Sequence, residues 1–352
     1  MVHSRWCSIL PVLFVACGGK KEQSSAAPPP PPPPTTAAPA DATPAAIDAA
    51  AAPVATGATC EPASFAVAGA CQGGGRCVSL YEVDKACVVQ LKKEHQLLEP
   101  DREILDVAWP KVGGPLYLVV VGGAEGPVWG TLDSPLSAGA DAFSKVAWKT
   151  EKIGDLEPEG FRFGVETTAD GPVLTTCKKW IEDNEEEWHC DDPKFWSIAS
   201  KSYAKKLGVP AFAKQLDGTA IGKVTITPTK TGYECTGTDG KTTPLLDGPA
   251  DAPIAGAVSL SDDTYLLVQY NYGSRMNANP AAYATPMRGC EVHPLKGEAI
   301  PGPAGFWLHR ADRYTAGKDV WNVYRKADAK PLSGADGSPF ATAGDVVTWA
   351  VP

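Results

Sequence analysis

Between residues 170 and 337 the chain carries five Asp-Gly pairs: Asp170-Gly171, Asp217-Gly218, Asp239-Gly240, Asp247-Gly248 and Asp336-Gly337. Asp-Gly between strand-forming runs is among the strongest short-range signals for a tight antiparallel return. The runs around these pairs are short and rich in β-formers. Leu116 to Val121 reads LYLVVV, Val224 to Thr227 reads VTIT, and Tyr265 to Tyr270 reads YLLVQY. Strands of this length separated by such turns predict an all-β fold, mainly antiparallel. Helical patterning is thin. Ser197 to Leu216 places Ile198, Tyr203, Leu207 and Phe212 on a rough stripe that Gly208 and Pro210 interrupt, and Cys87 to Leu98 is a weaker candidate.

Three segments share one pattern: DVAWPKVGGPLYLVVVGG (Asp106 to Gly123), FGVETTADGPVLTTC (Phe163 to Cys177) and GAVSLSDDTYLLVQYNYG (Gly256 to Gly273). Each has an apolar alternation, a turn with Gly or Asp, and a second apolar run. The pattern resembles the inner hairpins of β-propeller blades. Their spacing is uneven, with 58 residues from Val107 to Val165 and 93 from Val165 to Val258, and no tryptophan–aspartate or kelch signature accompanies them. A β-propeller-like domain and a β-sandwich both fit.

The N-terminus is of another kind. Arg5 precedes an apolar stretch from Trp6 to Ala16, which is too short to span a bilayer and suits a signal peptide. It ends in Phe14-Val15-Ala16-Cys17, which resembles the lipobox of bacterial lipoproteins. The resemblance implies cleavage before Cys17, acylation (palmitate among the acyl groups) of its thiol, and a protein anchored to the membrane by lipid. Gly18 after the cysteine implies, by the sorting habit of that family, the outer membrane, facing either periplasm or surface. Residues 18–57 are dominated by Ala, Pro, Ser and Thr and include seven consecutive prolines, Pro28 to Pro34. Proline fixes φ and lacks an N–H, so this run reads as a polyproline II tether that cannot bury a core. The expected order is a signal peptide at 1–16, a lipidated cysteine with disordered linker at 17–57, a small disulfide-rich lobe at 58–98, and a β-rich domain at 99–352.

Eight cysteines remain after Cys7 and Cys17: Cys60, Cys71, Cys77, Cys87, Cys177, Cys190, Cys235 and Cys290. An even set in an exported chain points to disulfides, and the absence of any C-x-x-C argues against a metal. No cofactor is implied. The connectivity is open except locally. If Asp183-Asn184 forms a hairpin turn, Cys177 falls opposite Cys190. The first four cysteines would staple the small lobe, which leaves Cys235 to pair with Cys290.

Residues 58–352 hold 29 basic against 38 acidic residues, so a nucleic-acid groove is not expected. Catalytic templates fail in turn. Ser202-x-x-Lys205 and Lys230-Thr231-Gly232 resemble the β-lactamase set, but Ser261-Asp262-Asp263 comes in the wrong order and the spacing is too short. No G-x-S-x-G is present, and His95, His189, His293 and His309 form no metal pair. Seven carboxylates between Glu182 and Asp192 lack the calcium-loop pattern and read as a solvated hairpin tip. Trp180, Trp188 and Trp196 are evenly spaced and form a candidate aromatic binding surface for an envelope protein or a glycan. The reading is a lipid-anchored, non-catalytic binding or scaffolding protein. The competing class is a periplasmic or surface hydrolase acting on polysaccharide or peptidoglycan through paired carboxylates.

Overall fold

The computed structural model describes residues 59–71, 74–97, 102–122, 128–139, 141–149, 161–178, 194–205, 207–230, 232–245, 254–271, 281–293, 297–311, 320–328 and 330–352. These all belong to the second of the chain's two units, Ala55–Pro352. Among them are twenty-four strands, numbered in chain order, in six sheets.

The first sheet contains β1 (Ala63–Ala70), β2 (Arg76–Val83) and β3 (Val88–Leu97). The second is β4 (Glu103–Ala108), β5 (Leu116–Val121) and β6 (Val128–Leu132). The third is β7 (Phe161–Thr168), β8 (Gly171–Lys178), β9 (Lys194–Ser197) and β10 (Ser202–Ala204). The fourth is β11 (Ala220–Ile221), β12 (Val224–Thr229), β13 (Gly232–Thr236) and β14 (Thr242–Leu245). The fifth is β15 (Ile254–Ser259), β16 (Thr264–Asn271), β17 (Ala281–Arg288) and β18 (Glu291–Val292). The sixth is β19 (Gly297–Pro301), β20 (Phe306–Ala311), β21 (Val320–Arg325) and β23 (Thr342–Ala343). Two late strands return to the first sheet. β22 (Ser333–Gly334) pairs parallel to β3, and β24 (Val346–Trp349) pairs antiparallel to β1.

Side-chain alternation decides how these sheets stack. On β1, Phe65 and Val67 enter a core shared with Phe306, Leu308 and Trp321 of the sixth sheet. The intervening Ala66 and Ala68 enter a core shared with Val107, Leu116 and Leu118 of the second. On β5, Val119 turns the other way, toward Val165 and Leu174 of the third sheet. On β16, Tyr265 and Leu267 face the fourth sheet, while Leu266 and Val268 face Trp307 of the sixth. Val173 and Phe195 of the third sheet close on Leu207 and on Ala255 of the fifth.

The shared cores therefore run first to second to third to fifth to sixth and back to the first. The fourth sheet packs on the fifth. A sandwich leaves each sheet one solvated face, whereas here neighbouring residues on one strand are buried against different sheets. This is a closed, face-to-face stack of small antiparallel sheets, a β-propeller-like architecture. Burial on both faces also explains why LYLVVV and YLLVQY are nearly continuous apolar runs rather than strict alternations. The three look-alike segments are the β4–β5, β7–β8 and β15–β16 hairpins, each opening its sheet.

The two weak helix candidates are strands and loops instead. Residues 87–98 contain β3, where His95 and Leu97 are buried two residues apart, Val89 is buried on the other side of a bulge, and the β-branched Val88-Val89 pair starts the ladder. Residues 197–216 hold the end of β9, β10 and an irregular segment. There Pro210 and Lys214 bridge to Thr168 and Ala257, so the Gly208 and Pro210 interruptions mark a chain crossing between sheets. The cysteine-dense stretch from Cys60 to Cys87 supplies β1 and β2 of the first sheet and shares its cores with both neighbours.

β4 and β15 carry a register shift at matching places, between Ile104 and Asp106 and between Ile254 and Gly256. A bulge redirects the next residue toward the neighbouring sheet. In β4 that residue is the buried Asp106, whose carboxylate accepts the N–H of Val107 and of Val165 on β7, each at 2.8 Å. In β15 it is Gly256, where a Cβ would stand 2.7 Å from the Lys214 carbonyl oxygen. One joint is made by a side chain and the other by direct backbone approach. The turns reuse a local device. Asp217, Asp239 and Asp336 of three Asp-Gly pairs each accept, at 3.0 Å, the N–H two residues on.

The seam between chain ends is tight. Trp349 Nε1 donates to Ile300 of the sixth sheet, and Trp321 Nε1 donates to Gly344 beside β24. Beyond β24, Ala350 bridges Trp109 and Val351 donates to the Trp109 carbonyl, which ties the seam to the second sheet. A Cβ on Gly344 would lie 2.2 Å from Val67 Cγ1 and 3.1 Å from the Ala68 carbonyl oxygen. Gly344→Ala is expected to cost about 2–3 kcal/mol, read as a lowered urea midpoint. Asp106→Ala is expected to cost about 2–4 kcal/mol, because it strands two buried N–H groups.

Candidate binding surface

Among the three tryptophans picked from the sequence, Trp196 is described, and Trp180 and Trp188 lie outside the described residues. Trp196 sits on β9 opposite Leu174 of β8 and Tyr203 of β10. Its ring joins the core between the second and third sheets and is half-buried. Tyr203 meets it edge-on, with ring centroids 4.9 Å apart and planes at 75°. Tyr203 is 46% exposed, and all three residues of β10 face solvent. β10 is the outermost strand of its sheet, so the pair lies at a sheet edge: one aromatic anchored in the core, the other offered outward. Such a pair can stack on or hydrogen-bond a partner at little entropic cost, because its packing already restricts the rings. Sequence reasoning missed Tyr203 because it fell on the mistaken helical stripe. The usable signal was two aromatics straddling the Ser200-Lys201 turn.

The candidate catalytic groups are dispersed. Ser202 lies on β10 and its hydroxyl bonds that of Ser200 at 2.7 Å. Lys230 is in the β12–β13 turn, and Ser261 to Asp263 form the β15–β16 turn. The β-lactamase-like residues thus belong to three different sheets. Asp262 and Asp263 serve their own turn: the Tyr265 hydroxyl donates to the Asp262 carbonyl, and Ser261 Oγ donates to Asp263 Oδ1. Among the described residues no group of three or more His, Cys, Asp or Glu side chains is placed to hold a metal ion. The acidic stretch 182–192 lies outside them.

His95 is a buried base whose titration the fold shifts. It is fully buried on β3, with Nε2 2.6 Å from the Pro135 carbonyl and its ring edge-on to Phe143. Nε2 therefore carries the proton, and buried Nδ1 has no hydrogen-bond partner. Burial pushes its pKa below the ordinary 6.5, Lys93 adds to the effect, and the Pro135 carbonyl opposes it. This histidine latches the loop after the second sheet onto the first.

Among the described residues three disulfides are formed: Cys60–Cys87, Cys71–Cys77 and Cys235–Cys290. The last joins the fourth sheet to the fifth, and closing its 55-residue loop is worth about 4 kcal/mol. β8 and β9 are adjacent antiparallel strands, but Thr176 faces Lys194. That register is offset by three from a turn centred on residues 183 and 184, and the Cys177–Cys190 pairing lies outside the described residues. Three disulfides indicate an oxidising, exported setting. Among the described residues no helix is long and apolar enough to cross a membrane. Cys17 and the proline run lie outside the described residues.

No protein-family model and no curated protein matches the sequence. Among solved structures, the chain is similar to one in a nidogen/laminin complex, at 10% identity and a TM-score of 0.39, covering 83% of this chain and 99% of that one. It is also similar to prolyl oligopeptidase B from Galerina marginata, at 10% identity and a TM-score of 0.31, covering 77% of this chain and 50% of that one. The class is set by the strand order and the cyclic cores: an all-β, disulfide-bonded, propeller-like domain.

Because folded His95 has a lowered pKa, the stability it contributes is complete above pH 6.5. That stability is lost as pH falls from 6.5 through the lower folded value. Urea unfolding of the wild type should therefore weaken between pH 7.5 and 5.5, and His95→Phe should flatten that part of the profile.

Proposed function

We propose that the chain is an exported, lipid-anchored envelope protein whose propeller-like domain binds a partner and does not catalyse a reaction. The observation that carries this is the Trp196–Tyr203 pair, a core-braced aromatic presented on an exposed edge strand. The lipobox-like end at Cys17 and the proline-rich stretch supply an anchor and a spacer, so the domain would sit away from the bilayer. The disulfides support the exported setting. Two buried polar groups among the described residues, Asp106 in a sheet joint and His95 in a loop latch, are used in holding the fold.

The test uses the full chain, extracted in mild detergent from native membranes. The wild type is expected to retain an envelope component at near-stoichiometric amounts, and Tyr203→Ala should weaken that complex at least tenfold, about 1.4–2 kcal/mol. Cys17→Ser should abolish incorporation of labelled fatty acid. Release of soluble sugar from peptidoglycan by the purified protein, or an unlabelled wild type, overturns the reading.

A further inference from the structure

The Cys60–Cys87 bond differs from an ordinary structural staple in what lies beside it. Arg325, at the end of β21 in the sixth sheet, points Nη1 at both sulfurs, 3.5 Å from Cys60 Sγ and 3.4 Å from Cys87 Sγ. Its side chain is 24% exposed, and its Nε is 3.4 Å from Asp328, which orients the guanidinium. The two sulfurs are not equivalent. Cys60 is buried in the core between the first and sixth sheets, while Cys87 is half-buried at a turn where its φ is +63°. A left-handed conformation is costly for a residue with a Cβ and is relieved when the turn can open. Asp84 fills the rest of that turn, accepting N–H groups from Ala86 and Val88.

The geometry points to Cys60–Cys87 as an exchange-active disulfide, a redox site that takes a dithiol as its substrate and that Arg325 activates. A thiolate of the dithiol attacks Sγ of Cys87, the less buried of the two residues. The Cys60–Cys87 bond breaks, and its electron pair leaves on Cys60 Sγ as a thiolate beside the Arg325 cation. The dithiol's second thiolate then attacks the mixed disulfide and releases Cys87. The dithiol ends as a disulfide, and the protein pair ends as two thiols after taking up the two protons the dithiol gave. A neighbouring cation lowers the pKa of the leaving thiol, and lower-pKa thiols leave faster. Cys60 donates its own N–H to the Lys85 carbonyl, so exchange would loosen the start of the domain from the β2–β3 turn.

The test treats the full chain in detergent with dithiothreitol, quenches with iodoacetamide at intervals and maps each cysteine by mass spectrometry. Cys235–Cys290 serves as the internal reference. Arg325→Gln is expected to slow reduction of Cys60–Cys87 roughly three- to tenfold while the reference stays within about twofold, and Arg325→Lys should retain most of the wild-type rate. If Arg325→Gln leaves that rate unchanged, or accelerates both bonds together, the guanidinium is only a brace and the proposal fails. Should Arg325→Gln not fold, wild-type protein still decides it. Reduction of Cys60–Cys87 relative to the reference must slow as salt screens the cation, and a constant ratio overturns the proposal.

Discussion

Everything in the domain depends on β24 lying against β1. Each sheet is small, and most bury both faces only because neighbours stand on either side. An open row would leave two outer faces, the Phe65 face of the first sheet and the Phe306 face of the sixth, in water. Pairing Phe65 with Trp349 through Ala68 with Val346 removes both faces together. The resulting core holds Phe65, Phe306, Trp321 and Trp349, each almost wholly buried and each worth about 2–3 kcal/mol. The Arg76 guanidinium, 2.9 Å from both Glu103 and Asp345, crosses the same seam at the surface, where exposure leaves it a small contribution.

The sheet-to-sheet joints show how a repeated hairpin is adapted to different neighbours. β4 and β15 share a bulge, but the residue just past it is an aspartate in one and a glycine in the other. Asp106 reaches across to β7 and accepts the Val165 N–H, which would otherwise be buried unpaired. Gly256 admits the 209–214 segment directly onto the sheet, so that Lys214 and Ala257 exchange backbone hydrogen bonds. The fourth sheet then packs on the fifth and is tied to it by Cys235–Cys290.

The fold class was legible because it rests on local chemistry. Asp-Gly pairs set returns, and β-rich runs such as LYLVVV can serve as little but doubly buried strands. The look-alike hairpins were legible for the same reason. The choice between a ring of sheets and a sandwich was not, since it depends on which sheet each alternate residue meets, as Phe65 and Ala66 do on β1. Residues 197–216 misled because a helical stripe and a chain crossing both space apolar residues irregularly, and only the partners of Pro210 and Lys214 distinguish them. At the candidate surface, Trp196 could be picked by type. Tyr203 gains its role from cross-strand register with Trp196 over a short turn, whereas Arg325 approaches a disulfide 238 residues away in sequence and leaves no local trace.

The seam also sets a clock. A chain delivered to its compartment from the N-terminus has β1 to β3, with the Cys71–Cys77 and Cys60–Cys87 bridges spanning 6 and 27 residues, available at the outset. Its closing contacts wait: Arg76 meets Asp345 only after 269 further residues have arrived. Throughout that interval the edge of β1 is an unpaired ladder above an exposed aromatic face, the kind of surface that joins to other chains. Early bridges that fix the first sheet's register would shorten the search once β24 emerges. The first sheet's two bridges thus lie wholly within the part of the chain that arrives first, and the strand that closes on β1 within the part that arrives last.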